Sequence, residues 1–387
     1  MHRIEGEVFN QQKRVSTVVN MTDEEINAKY KRGEIRIVTE QARYPVKSIK
    51  SMLDGGDYKL NPEYQRRKRW DNGKKSRLIE SFIMNVPLPP VFLYEYDYSK
   101  YEVMDGLQRL TTIYDFYSGR FALEDMGYWK ELEGKTYDEL PEEVQKGIDR
   151  RYISSIVLLE ETAKTPEEAE ELKQIVFERL NSGGEKLTPQ ETRNALYNGS
   201  FNQLCIKLSK NEKFRTMWNI PFEEDSEDKL LKSEAYRKMD DVELVLRFFA
   251  YRFIDVFPRT VEDFLDMYLK QANLFSKQTI QELEQLFNDT IDIVYGIFGD
   301  QAFVSPVYER KVTKPQKTIY DPLMQSIAKH TESRESLLLA AKNIRDAKYS
   351  SPITVDGEKL FDGRNTIPSI VKRRIEYFDN LIMPYLI

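Results

Sequence analysis

An α+β N-terminal domain followed by an all-helical C-terminal domain is the fold class that three observations predict. Apolar and aromatic runs of strand length, at residues 91–96, 101–104 and 152–160, are confined to the first half of the chain. Beyond residue 206 that signal vanishes, and apolar residues recur at helical spacing over several turns in DVELVLRFFAYRFIDVF, TVEDFLDMYLKQANLF and TIQELEQLFNDTIDIVYGIF. Between the two patterns, YEVMDGLQRLTTIYDFY at residues 101–117 reads as a strand, a tight Asp-Gly turn and a helix.

Taken in order, residues 1–40 mix polar and charged residues with one short apolar burst, which predicts an extended arm or, over MTDEEINAKYKRG, a helix. Residues 46–53 read as a short strand running into a helix. Residues 76–85 carry Leu78, Ile79, Phe82 and Ile83 at the spacing of one buried helical face, and VPLPP ends that helix because proline cannot continue it. The runs at 91–96 and 101–104, joined by DYSK, form a hairpin whose second strand delivers Asp105. A further strand follows at 152–160. Residues 166–180 predict a helix that stops at NSGG, where positive φ is needed. Thr188, Pro189 and Glu191 then mark a helix start as N-cap, first helical residue and capping-box partner. In the second half, residues 299–318 form a long connection, helix resumes over 321–347, and DGRNT at 362–366 is a turn and cap before Pro368. The boundaries read are 1–40 for the arm, 41–205 for the α+β domain and 206–387 for the helical domain.

With 387 residues, the chain is long enough for two domains, and 40% hydrophobic with 32% charged residues is a soluble globular composition. No apolar run approaches the ~18 to 20 residues a membrane span needs, and MHRIEGEVFNQQKR lacks the apolar centre of a signal peptide, so a cytoplasmic location is expected. A lone cysteine, Cys205, cannot pair within the chain, and its apolar setting FNQLCIKL predicts a core residue. With His2 and His330 the only histidines, a His/Cys zinc site, an HNH nuclease and a Ser-His-Asp triad are all disfavoured.

The Asp-Gly turn holds the chemistry. First-turn N–H groups of a helix lack intrahelical acceptors, the helix dipole favours an anion there, and an arginine can meet a phosphate with two parallel hydrogen bonds. Arg109 supplies that guanidinium, Asp105 a carboxylate able to hold Mg2+, and Gln108 an amide able to orient water. The plainer reading is a strand-to-helix turn whose arginine salt-bridges its neighbours.

Four blocks in order, NPEYQRRKRW (61–70), SRLIESFIMNVPLPPVFLYE (76–95), VMDGLQRLTTIYDF (103–116) and IVFERLNSGGEKLTPQETRNALYNGSF (175–201), resemble the DGQQR-motif domain of GmrSD-type restriction systems, over about residues 40–205. The resemblance implies a ParB/sulfiredoxin-like fold, NTP binding and hydrolysis, and control of DNA cleavage in anti-phage defence. It implies that Asp105, Gln108 and Arg109 are catalytic, and that Tyr64, Gln65, Arg66, Gly106, Arg109, Thr111, Asn181, Arg193 and Asn194 surround the nucleotide, with Arg179 beside them. One departure stands out: the family's first glutamine is Leu107 here, which puts hydrolysis in question but leaves binding intact. Many relatives carry a following HNH nuclease domain, for which this chain lacks the histidines, so a separate nuclease subunit is the implied partner. A homo-oligomer stays open.

Net charge is −6, yet residues 62–77 concentrate Arg66, Arg67, Lys68, Arg69, Lys74, Lys75 and Arg77 against Glu63 and Asp71, in company with Tyr64 and Trp70. Two readings compete: a solvated helix start, or a surface in which Arg67, Lys68, Arg69, Lys74 and Lys75 meet DNA backbone. Glu191 is read chiefly as a capping residue. Three functions are carried forward: an NTP-hydrolysing defence subunit that controls DNA engagement or a nuclease partner, a nucleotide-gated switch without turnover, and an autonomous metal-dependent nuclease. The last needs converging carboxylates, and only Asp105 stands out, with Glu80 and Glu191 as weaker seconds.

Overall fold

Strand pairing in the first half builds one mixed five-stranded sheet, in which β1 (Thr39–Pro45), β5 (Tyr152–Leu158), β3 (Val91–Asp97), β4 (Lys100–Asp105) and β2 (Tyr58–Lys59) lie side by side in that order. The structure, a computed structural model, describes residues 4–10, 21–32, 37–60, 70–159, 165–180, 187–222, 224–305, 314–350, 354–355, 358–361 and 367–386. The chain divides into two compact units, Val15–Leu187 and a second formed by Met1–Arg14 with Thr188–Ile387. The sequence reading put the boundary near residue 205 and kept residues 1–40 apart. The helix begun at Thr188 instead packs with the helical unit, and so does the stretch around Phe9, because their apolar partners all lie there.

In the unit Val15–Leu187, the expected helix forms as α1 (Asp23–Arg32). β1 (Thr39–Pro45) lies just before the strand expected at 46–53, where a 3-10 turn (Val46–Ser48) and α2 (Ile49–Asp54) stand instead. β1 escaped notice because it is an edge strand. TEQARYP has no apolar face and is held by backbone pairing to β5, Thr39 opposite Leu158. After the two-residue β2 (Tyr58–Lys59), α3 (Asn72–Met84) starts on Asp71, whose carboxylate accepts from Lys74 N at 2.7 Å, and ends at Asn85 with φ 60. The hairpin of β3 (Val91–Asp97) and β4 (Lys100–Asp105) then leads into α4 (Leu107–Tyr117), and α5 (Glu142–Asp149), β5 (Tyr152–Leu158) and α6 (Pro166–Leu180) follow.

Buried Leu78, Ile79 and Phe82 of α3, Val91 and Leu93 of β3, and Leu110, Ile113 and Phe116 of α4 form one apolar core. That core fixes the end of β4 against the start of α4. Glu80, weighed above as a metal ligand, is buried and accepts from the N–H groups of Gly127, Tyr128 and Trp129 at 3.2, 2.7 and 2.9 Å. Burial opposes its ionisation, but those three donors and Arg77 outweigh it and hold the carboxyl below its ordinary range. It secures the loop after α4.

The other unit is helical, as expected: α7 (Pro189–Leu196), α8 (Ser200–Leu208), α9 (Glu212–Trp218), α10 (Glu227–Lys232), α11 (Glu234–Arg237), α12 (Asp240–Ala250), α13 (Val261–Ala272), α14 (Lys277–Phe298), α15 (Lys317–Ala328), α16 (Arg334–Leu339), α17 (Ala341–Ser350) and α18 (Pro368–Ile382), with a small hairpin of β6 (Thr354–Val355) and β7 (Glu358–Lys359). The helix expected over 321–347 is three helices. Aromatic side chains of different helices meet edge to face, with ring centroids 5.2 Å apart for Phe201 and Phe249 and 5.3 Å for Phe248 and Phe287. Cys205 is buried, and burial raises its thiol pKa, so it is the core residue expected. Lys348 is fully buried, its ammonium 2.8 Å from Ala302 O and 3.4 Å from Gln301 O, over the Phe298 ring at 5.0 Å. No described helix is long and apolar enough to cross a membrane.

Candidate functional site

β4 and α4 meet at a single glycine. Gly106 has φ 95 and ψ 8, and a Cβ built there would stand 2.5 Å from Val91 Cγ1, so both backbone and space demand glycine. This turn puts Asp105 at the strand end and Arg109 one turn into the helix, as an i,i+4 ion pair at 2.9 Å. Arg109 is largely enclosed. Its Nη1 donates to Pro89 O, and to Pro90 O at 3.2 Å. Burial lowers the pKa of this guanidinium, and the charge and hydrogen bond of Asp105 oppose that. Asp105, in contrast, has half its side chain in solvent, at 51% against 11% for Arg109.

Gln108 and Thr111 belong to the same turn but face protein groups. Gln108 Oε1 accepts from Trp70 N at 3.1 Å, which ties the end of the NPEYQRRKRW run to the start of α4. Thr111 Oγ1 donates back to Leu107 O at 2.9 Å. Leu107 turns inward, 7% exposed and part of the apolar core, so position 107 presents nothing to a ligand.

Two expected site residues belong to the helical unit. Arg193 and Asn194, expected at the nucleotide, sit on α7 in the helical unit and are buried. Arg193 Nε is 2.6 Å from Asp266 Oδ1, and its Nη1 is 3.2 Å from both Glu243 Oε2 and Gln190 Oε1. Lys317 binds the other oxygen of Glu243 at 2.9 Å. Asn194 accepts from Gln190 Nε2 at 2.9 Å and donates to Met239 Sδ. Acidic and polar partners from elsewhere in the helical unit fold onto both residues. Glu191 completes the expected capping box, its Oε2 accepting from Thr188 N at 2.7 Å.

Of the basic run, Lys75 is half-buried and bound to Asp115 at 3.0 Å, whereas Lys74 is exposed. Arg77 pairs with Asp125 at 2.5 Å on the surface. Tyr64, Gln65, Arg66, Arg67, Lys68, Arg69 and Asn181 lie outside the described residues. Among the described residues no three His, Cys, Asp or Glu side chains converge as a metal site. What the sequence reading overlooked are the carbonyls of Pro89 and Pro90, since VPLPP was legible only as a helix stop.

A strand-end carboxylate, an obligate glycine and an anchored arginine thus open a helix beside a mixed sheet. Residues 49–198 match the family model of the GmrSD restriction endonuclease N-terminal domain, and this stretch of the chain is a domain of that family. The match begins at α2 and ends just past α7. No curated protein and no solved structure matches the chain.

Proposed function

We infer that this chain is the nucleotide-responsive subunit of a restriction or anti-phage defence system, taking an NTP phosphate at the Asp105–Arg109 turn and hydrolysing it to control DNA engagement or a separate nuclease chain. The observation that carries the reading is the unequal exposure of the Asp105–Arg109 pair. Arg109 is anchored through Nη1 to two prolyl carbonyls, while Nη2 is held, among the described residues, by a carboxylate open to solvent. A phosphate arriving at the first turn of α4 competes with Asp105 for Nη2 and gains the helix dipole. Mg2+ accompanying the phosphate gives Asp105 a new partner. In this scheme Arg109 binds and stabilises phosphate charge, Asp105 holds the metal, and Gln108 joins the turn to Trp70.

A second reading, a nucleotide-gated switch without turnover, is favoured by Leu107. The side chain that replaces the family's first glutamine is packed in the core, so no amide at this position can place a water.

Calorimetry with ATP, GTP, CTP and UTP in the presence of magnesium tests the binding. Replacing Arg109 with alanine should weaken affinity by about 1.5–3 kcal/mol, the range for a charge-assisted hydrogen bond, and Arg109→Lys should recover part of it. Equal affinity in wild type and Arg109→Ala, with circular dichroism unchanged, overturns the reading. Phosphate release, with and without DNA, then separates hydrolase from switch. Leu107→Gln should not raise it, because burying the amide costs about 1–3 kcal/mol of stability and aims it at the core.

A further inference from the structure

The segment at residues 4–10 is held by the helical unit as a peptide is held by a receptor. Its contacts reach across 245 to 274 positions of sequence. Two backbone clamps grip it. The Gln271 amide donates to Asn10 O at 2.9 Å and accepts from Asn10 N at 3.0 Å, the pairing a neighbouring strand would make, and Thr279 Oγ1 donates to Glu5 O at 3.1 Å.

Between the clamps, side chains alternate. Glu7 and Phe9 point inward, 4% and 7% exposed, while Val8 stands out at 58%. Glu7 meets Arg252 Nη1 at 2.6 and 2.8 Å and the Tyr268 hydroxyl at 2.9 Å. Phe9 enters a cage of Phe253, Tyr268 and Phe264, with ring centroids at 5.4, 5.4 and 5.9 Å. Gly6 is specified too: its φ is 78, and a Cβ would stand 2.7 Å from Thr279 Oγ1. A sequence-independent grip on backbone, one charged pocket and one aromatic pocket are the parts of a specific peptide site.

We propose that α13, the start of α14 and the Arg252–Phe253 turn form a docking groove for an extended Gly-Glu-x-Phe peptide, and that residues 4–10 fill it as a tethered, exchangeable ligand. The charge of the groove selects the acid: Arg252 is buried and meets both oxygens of Glu7, and removing that carboxylate takes two charge-assisted contacts from a buried guanidinium. The aromatic cage selects the ring two residues later.

The test uses the full chain with a protease site inserted after Arg14. After cleavage, the released segment should remain bound on size exclusion, and an excess of fluorescent peptide IEGEVFN should replace it with a saturable rise in anisotropy. The peptide with glutamine for its second glutamate should need at least about tenfold more to displace the segment, the effect of losing a charged hydrogen bond. The peptide with serine for phenylalanine should not displace it. The inference fails if IEGEVFN cannot enter the cleaved protein, if a scrambled peptide enters equally well, or if displacement abolishes the helical circular dichroism. In each of those cases residues 4–10 are an integral part of the core and no groove exists apart from them.

Discussion

Arg109 and Arg193 look alike in the sequence, each near a helix start and each a candidate for the same phosphate, yet they sit in opposite electrostatic settings. Arg109 pairs with one carboxylate that is half in solvent. Arg193 is 2% exposed at its side chain and divides its donors among Asp266, Glu243, Gln190 and the carbonyl of Glu262. A guanidinium whose every direction is occupied by protein holds helices together. One with a solvent-exposed partner can trade that partner for a ligand. The difference shows that an arginine's role is set less by its position on a helix than by how many acids the rest of the chain folds onto it.

The largest expected effect tests the structural side of that contrast. Arg193→Ala strips the buried guanidinium from Asp266 and from Glu243, which keeps Lys317, and should destabilise the helical unit by about 3–5 kcal/mol in urea denaturation, the cost of breaking a buried ion pair. A loss below about 1 kcal/mol, the range of surface pairs, would place Arg193 with Arg109 and erase the distinction.

Next in size is the turn itself. Gly106→Ala combines the left-handed backbone penalty of about 1–2 kcal/mol with overpacking against Val91 of about 1–3 kcal/mol. The double variant Gly106→Ala with Val91→Ala should recover the steric part only, and a double-mutant cycle on stability reads that coupling. Full additivity would mean that the close approach to Val91 does not constrain the site.

A third test sharpens the comparison through pH. Burial pushes the Lys348 ammonium down to about 7 from an ordinary 10.5. Between those values the unfolded chain holds a proton that the folded chain has released, so wild-type stability should rise with pH across that window and fall as pH drops toward 7. In Lys348→Met the rise should flatten, and the variant should gain most relative to wild type near pH 6. Parallel melting-temperature profiles for the two proteins would show that Lys348 titrates as it does in water.

Legibility followed local chemistry. The capping box of Thr188 and Glu191, the proline stop after α3 and the Asp-Gly junction were all readable because each is decided by residues within a few positions of one another. β1 was not, because TEQARYP is an edge strand held by backbone pairing to a strand more than a hundred residues on. The same limit applies to the site. Asp105, Gly106 and Arg109 lie within one turn, whereas the pairing of Arg193 with Glu243 and Asp266 joins residues 50 and 73 positions apart, beyond any local pattern. Leu107 was legible as a departure from the family motif but not as a core residue, since the first turn of a helix has an inner and an outer side that only packing distinguishes.

The interrupted course of the helical unit bears on how the protein is made. Glu7 and Phe9 leave the ribosome long before Arg252, Phe253 and Tyr268, and the whole unit Val15–Leu187 is synthesised in between. At roughly 5–20 residues per second, residues 4–10 spend many seconds as nascent chain without their binding partners, while the sheet-containing unit can already complete its own core. Docking of residues 4–10 onto the helical unit must therefore come last, as a long-range search across an intervening domain, and it should be the slowest step in renaturation from urea.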